Sequence, residues 1–185
     1  MKVKGIAIAI MPDFVKGKFG AEGLEKWMAA MPPESRDIFN GHILISKWYP
    51  LAEAYHLPTE ALCRELYGGD LKGAWELGRH SAEYALKGVY KAFVKSPVVT
   101  VNVGHAGLML PTYFQPATID IKSLEERRAV LRITRFEGST HHIEQRIGGW
   151  MERALEIAGA AGAKVEIARS LAHQDPHTEY LLTWS

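Results

Sequence analysis

Cysteine is almost absent from this chain of 185 residues, in which Cys63 is the only one. A single thiol excludes an internal disulfide and a zinc site built from cysteines, so we expect a cytoplasmic protein. An excess of either charge is also missing, because 22 basic side chains face 21 acidic ones. A net charge of +1 gives no electrostatic reason to expect nucleic acid or an anionic membrane as a partner.

Long hydrophobic runs and recognised catalytic motifs are missing as well. The apolar start, residues 5–11, is far too short to cross a bilayer, so we predict no membrane span. The chain has no phosphate-binding Gly-rich loop, no G-x-S-x-G elbow and no H-E-x-x-H pair. The sequence therefore favours a non-catalytic protein over an enzyme, in a chain long enough for one domain.

Hydrophobic periodicity divides the chain into a helical first part and an α/β second part. The longest apolar stripe has steps of three or four residues and small residues at its middle, which indicates a close helix crossing. Its members are Leu71, Trp75, Gly78, Ala82, Ala85, Val89 and Phe93. The predicted helices cover residues 21–31, 33–40, 50–67 with a break at Leu57-Pro58, 71–93 and 98–114.

The second part predicts an antiparallel sheet. Strands at residues 118–121 and 129–136 precede a helix capped by Ser139-Thr140, and strands at 165–171 and 178–184 follow it. We therefore predict an α+β fold, in which helices pack on a ββαββ four-stranded antiparallel sheet. The Gly148-Gly149 pair costs the helix about 1 kcal/mol per glycine, which predicts that the helix lies tight against a sheet or around a ligand at that point.

Histidine is the one reactive residue type in excess, with eight copies. His105 lies in an apolar run between glycines, where it could be an axial haem ligand or a core histidine bonded to the backbone or to Asn102. His173, Asp175 and His177 share a predicted hairpin loop. They could bind zinc or another divalent ion, although Asp-Pro is also ordinary turn chemistry.

Aromatic residues are concentrated in the helical part, among them Tyr84 and Tyr113. Aromatic side chains line small-molecule pockets but also fill ordinary cores. His80 lies beside the long apolar stripe, as a site residue or a polar flank. If the chain binds a ligand, we expect its specificity around His80, Tyr84, His105 and Tyr113.

Three segments carry a resemblance to a known family. LGRHSAEYALKGVYK (77–91), Thr112-Tyr113-Phe114 and IGGWMERALE (147–156) are similar to motifs of an uncharacterised bacterial paralogous family. That family resembles the 4-vinyl-reductase-like domains and, more distantly, the haem nitric-oxide/oxygen-binding (H-NOX) domains. The resemblance implies one domain, residues 1–185, in which a helical lobe (1–114) packs on an α/β lobe (115–185) and small ligands lie between the lobes.

The resemblance also suggests where a haem would bind. His105 falls near the position of the proximal histidine, and Pro116 near the proline that distorts the porphyrin. The Tyr-x-Ser-x-Arg propionate clamp is replaced by residues 131–135, LRITR, in which only Arg135 is retained. The cysteines often found near the last hairpin of 4-vinyl-reductase-like domains are missing, and His173, Asp175 and His177 occupy that region.

The sequence thus leads to three functional hypotheses. The first is a non-catalytic sensory domain that binds a small apolar ligand between its lobes and signals through a protein partner or a homodimer. The second is a haem-binding gas sensor or redox protein with His105 as the axial ligand. The third, suggested by the 4-vinyl-reductase likeness, is an enzyme or accessory protein acting on a tetrapyrrole.

Overall fold

A computed structural model describes residues 1–88, 96 and 98–185 of the chain. The described residues of the first part form two short strands and five helices. Proline in the first turn of α1, α2 and α3 suits a position whose backbone N–H has no partner in the helix. The elements are β1 (Lys2–Lys4), a 3-10 turn (Gly5–Ala7), α1 (Met11–Ala30), α2 (Pro33–Asn40), β2 (Trp48–Pro50), a π-helical turn (Ala52–His56), α3 (Leu57–Leu66), α4 (Lys72–Lys87) and α5 (Val99–Gly104).

The second part begins with α6 and contains one long helix. Thr140 caps that helix by accepting a hydrogen bond from the Ile143 backbone N–H, as the sequence predicted. The elements are α6 (Ala106–Tyr113), β3 (Phe114–Gln115), β4 (Ala117–Glu125), β5 (Arg128–Phe136), α7 (His141–Ile157), β6 (Lys164–Arg169) and β7 (Thr178–Thr183).

The four-stranded sheet has the order β4-β5-β7-β6, and every neighbouring pair is antiparallel. This confirms the predicted α+β fold with its ββαββ arrangement. The buried side chains Leu131, Tyr180 and Leu182 lie on one face of the sheet, and α7 contacts β6 and β7 there. Tyr180 donates a hydrogen bond from its hydroxyl to the Glu144 carbonyl oxygen at 3.0 Å, which fixes α7 on the sheet.

A second sheet, of three short strands, was not predicted. Its order is β2-β1-β3, with Val3 opposite both Tyr49 and Phe114. The strands are only two or three residues long, so the alternation that reveals a strand has no room to develop. The sheet ties the start of the chain to the end of α6.

Three helix predictions need correction. The first helix begins at Met11, ten residues before the predicted start, and it kinks at Gly20, where φ is +71°. The predicted helix at 98–114 is two helices that meet at His105. The predicted helix at 71–93 is observed from Lys72 to Lys87, and the last two members of its stripe, Val89 and Phe93, lie outside the described residues. None of the described helices is long and apolar enough to span a membrane.

Candidate functional site

The crossing of α4 and α7 brings two helix backbones into contact. A Cβ atom at Gly78 would overlap the Arg146 carbonyl oxygen and would lie 2.9 Å from the Trp150 backbone nitrogen. A Cβ atom at Gly149 would in turn overlap the carbonyl oxygen of Trp75. The glycines predicted to allow close approach therefore do so, but Gly148 and Gly149 lie against helix α4 at Trp75 and not against a sheet as predicted.

An apolar cavity of about 70 Å³ lies beside this crossing. Residues from the 3-10 turn, α4, α6, β4 and α7 surround it, so both parts of the chain contribute. Its lining is Ile6, Ala7, Tyr55, Gly78, Ser81, Met109, Leu110, Tyr113, Phe114, Ile119, Arg146, Ile147, Trp150 and Met151. Since almost all of these side chains are hydrophobic, the cavity suits an apolar ligand.

A second cavity of about 60 Å³ adjoins the first. Met109, Trp150 and Met151 line both, and the second extends between α7 and the sheet to Leu131 and Leu182. Methionine is unbranched and has three rotatable bonds, so it adapts readily to a changed volume. The two cavities are thus divided by side chains that can move.

Among the described residues, Arg146 is the one charged member of the first cavity's lining, and only 1% of it is exposed. Its Nη1 donates to Thr59 Oγ1 at 2.9 Å, and its Nη2 donates to the Ala7 carbonyl oxygen at 2.6 Å. The guanidinium carbon lies 3.8 Å from the centre of the Tyr55 ring, in a cation–π contact. Neutral groups therefore supply all of these contacts.

The Arg146 charge has no carboxylate partner among the described residues. Burial lowers the pKa of Arg146, while Tyr55 and Cys63 act in the opposite direction. Arginine nevertheless stays charged in proteins. Its Nε is buried and has no hydrogen-bond partner in the part of the chain that the structure describes, and the same holds for Nε1 of Trp150.

A buried carboxylate, Glu144, is also part of α7, and sequence reasoning missed it. It accepts hydrogen bonds from Ser170 Oγ and Thr178 Oγ1, each at 2.5 Å, and from the Ala172 backbone N–H at 3.3 Å. These bonds hold the start of α7 to the loop between β6 and β7. Glu144 therefore acts in the scaffold, away from the cavity lining.

Charged side chains cover the exposed side of the α4–α7 crossing. Arg79 of α4 pairs with Glu152 and Glu156 of α7, and Arg153 of α7 pairs with Glu83 and Glu156. Hydrogen bonding to Arg153 holds the pKa of Glu83 below its usual range. Burial raises the pKa of Glu156, but the hydrogen bonds from Arg153 and Arg79 outweigh burial and lower it overall.

Among the residues proposed from sequence, Tyr113 is the one that lines the apolar cavity. His80 is half-buried and lies against Phe14, with ring centroids 5.2 Å apart, in an open groove that also contains Arg79 and Arg153. Tyr84 is 44% exposed. The structure thus separates these residues instead of gathering them around one ligand.

The residues expected to hold a haem line neither of the two apolar cavities. His105 is half-buried at the junction of α5 and α6 and lines neither cavity, while Pro116 and Arg135 are exposed. A volume of about 70 Å³ is also far below the roughly 300–1,000 Å³ of pockets that enclose drug-sized ligands and cofactors. Neither of these two cavities therefore combines the volume and the histidine that a haem site needs.

His173, Asp175 and His177 do not converge on one point. Asp175 accepts a hydrogen bond from the Ser170 backbone N–H at 2.8 Å, which is turn chemistry. The His173 ring faces His141, and His177 Nε2 lies 3.7 Å from a Glu179 carboxylate oxygen. Within the described ranges there is no group of three or more His, Cys, Asp or Glu residues placed to hold a metal ion.

Arg146 is the site residue that sequence reasoning missed. A charged side chain is expected at the surface, because arginine is rarely fully buried. Its position in the sequence nonetheless indicated burial, because Arg146 follows the apolar Ile143 by three residues and precedes the apolar Trp150 by four. Those steps place it on the apolar face of α7.

Comparison with solved structures shows the same fold in H-NOX proteins. The H-NOX protein from K. algicida, in its Fe(II) unliganded form, matches with a TM-score of 0.73 at 12% identity, over 98% of this chain and 96% of that one. The S. oneidensis H-NOX protein in the Fe(II)NO state gives 0.75 at 13% identity, over 98% and 99%. A mutant of the T. tengcongensis H-NOX protein gives 0.65 at 8%, over 98% and 97%.

No protein-family model matches the chain, and no curated protein matches it in sequence. At identities of 8–13% the structural similarity establishes the H-NOX-like fold alone.

Proposed function

We propose that the chain is a non-catalytic sensory or regulatory domain that binds a small apolar ligand in the cavity of about 70 Å³. In this proposal residues 1–114 and 115–185 form one domain, and the ligand lies between them. The observation that carries the proposal is an almost wholly apolar cavity to which both parts of the chain contribute. The same fold in H-NOX proteins, described in Fe(II) and Fe(II)NO states, supports a role in binding small molecules.

The chemistry of the lining supports binding without catalysis. Its described residues include no His, Cys, Asp or Glu, and the Ser81 hydroxyl donates its hydrogen bond to the Leu77 carbonyl oxygen. Haem sensing and tetrapyrrole chemistry have no such support, because His105 and Arg135 lie away from the cavity. A small ligand held by packing is the function that the geometry favours.

Helix α6 offers a route from the ligand to a protein contact. Met109, Leu110 and Tyr113 line the cavity, while Leu108 of the same helix is 63% exposed. In the adjoining α5 segment Val101 is exposed as well, at 47%. A ligand that displaces α6 would therefore change an apolar surface, to which a partner or a second copy of this chain would bind.

Methionine methyl groups report on the cavity directly. Met109 and Met151 line it, whereas Met28 and Met31 lie elsewhere and act as internal controls. In a spectrum of protein labelled with ¹³C at the methionine methyls, xenon should shift the first pair and leave the second unchanged. Equal shifts at all four methyls, or none at Met109 and Met151, would contradict the proposal.

A pair of matched variants strengthens this test. Ile147 lines the cavity, and Ile147→Phe should fill it and abolish the xenon-induced shifts. Ile167 lies half-buried on β6, outside both cavities, so Ile167→Phe should leave those shifts intact.

For the signalling step, Leu108→Ser should reduce self-association or partner binding, measured by sedimentation, without altering xenon binding.

A further inference from the structure

The strongest chemical feature of the cavity is a buried cation without a counter-ion. Arg146 lies almost fully buried in the cavity lining, and within the described residues no carboxylate pairs with it. A buried charge is costly unless it is paired, and neutral acceptors compensate it only in part. The cavity is therefore electrostatically complementary to an anion.

Two hydrogen-bond donors in the lining are also unused. The Nε–H of Arg146 and the Nε1–H of Trp150 are buried without an acceptor in the described structure. The two residues are four apart in α7, so their side chains are neighbours on the same helix face. Nη1 donates to Thr59 Oγ1 and to Met11 Sδ, and Nη2 donates to the Ala7 carbonyl oxygen, so Nε is the guanidinium nitrogen without any acceptor in the described structure.

We propose that the ligand of this site is a small aliphatic carboxylate, whose oxygens accept hydrogen bonds from Arg146 Nε and Trp150 Nε1. This inference rests on the proposed ligand-binding function and adds a carboxylate head group to the small, otherwise apolar ligand proposed there. The carboxylate neutralises the guanidinium, and the aliphatic chain lies against Ile147, Met109 and Leu110. Ordered water would satisfy both donors but would leave the charge uncompensated.

The cavity volumes limit the length of the ligand's aliphatic chain. A cavity needs roughly 10–15 Å³ of accessible volume to hold one water molecule, so about 70 Å³ accepts a molecule of several heavy atoms. The second cavity adds about 60 Å³ if the Met109 and Met151 side chains move aside. Together these volumes suit a carboxylate of about two to four carbons.

Propionate and its neutral isostere propionamide test the proposal in the intact chain. Titration followed at the ¹³C-labelled methyls should give saturable shifts at Met109 and Met151 with propionate, and at least about tenfold weaker binding with propionamide. Equal affinity for the two compounds would overturn the charge-based recognition. Chloride binding as tightly as propionate would overturn the assignment to a carboxylate.

Three variants separate recognition of the carboxylate from folding of the protein. Trp150→Phe keeps an aromatic ring but removes the Nε1 donor, and should weaken propionate binding about tenfold or more while xenon still binds. Trp48→Phe, the same change outside both cavities, should leave propionate binding unchanged. Arg146→Met should abolish propionate binding. An unchanged affinity in Trp150→Phe or in a folded Arg146→Met would overturn the inference.

Xenon binding distinguishes a failure of the carboxylate inference from a failure of the proposed ligand-binding function. If xenon occupies the cavity but propionate does not, the carboxylate inference fails and the proposed function stands. If neither binds, both fail.

Discussion

Replacing Gly149 with alanine tests the α4–α7 crossing on which the cavity depends. The alanine Cβ would overlap the Trp75 carbonyl oxygen and would lie 2.8 Å from the Trp75 carbonyl carbon, so the two backbones must move apart. Overpacking of this kind typically costs about 1–3 kcal/mol. Both clashing atoms belong to the α4 backbone, which cannot turn aside as a flexible side chain can, so we expect the upper half of that range.

Helix propensity works in the opposite direction and is smaller. Alanine is favoured over glycine by about 1 kcal/mol within a helix, so a net loss of about 2 kcal/mol is expected if the packing cost is near 3 kcal/mol. In a chain of this length 1 kcal/mol corresponds to about 2–4 °C in Tm. The variant should therefore melt about 4–8 °C below the unaltered protein.

Gly17 provides the matched control. It lies in α1 and is exposed, and a Cβ atom placed there would meet no other atom within 4 Å. Gly17→Ala should therefore stabilise the protein by about 0.5–1 kcal/mol through propensity alone. Urea unfolding followed by circular dichroism measures both variants. The reasoning is refuted if Gly149→Ala proves as stable as Gly17→Ala.

Three further changes probe the scaffold and the haem hypothesis. Thr140→Ala removes the cap of α7 and should cost about 1 kcal/mol in urea unfolding; no loss would show that the cap is not needed. Arg153 holds the folded-state pKa values of Glu83 and Glu156 below the ordinary value of about 4.3. The stability that these pairs contribute above that pH should therefore be lost as the pH falls through the folded-state pKa values. Arg153→Met should reduce this loss, measured as the pH dependence of the urea unfolding midpoint. His105→Ala should leave the absorption spectrum after haem addition unchanged; a Soret band that depends on His105 would revive the haem hypothesis.

The sheet and α7 could be predicted from sequence because their patterns are long. A nine-residue strand such as β5 alternates long enough to reveal its buried face, and the cap at Thr140 marks where α7 begins. The strands of the small sheet were missed because two or three residues carry no period. Their pairing depends on contacts between residues more than 40 positions apart, which no local pattern encodes.

The site was less predictable than the fold. The glycine pair at 148–149 correctly indicated a close approach, but the sequence did not identify Trp75 as the residue approached. Histidine was given weight because of its chemistry, yet His105 and His80 line neither apolar cavity. Arg146 was overlooked because residue type suggested the surface, whereas its spacing on α7 placed it in the core.

A crystal structure determined under xenon pressure tests the central claim most directly. That claim is an apolar ligand site between residues 1–114 and 115–185, lined in part by Met109, Trp150 and Met151. The account predicts a xenon atom in the cavity between α4, α6 and α7, and its loss in Ile147→Phe. Xenon found only elsewhere, or a cavity filled by protein side chains, would contradict it.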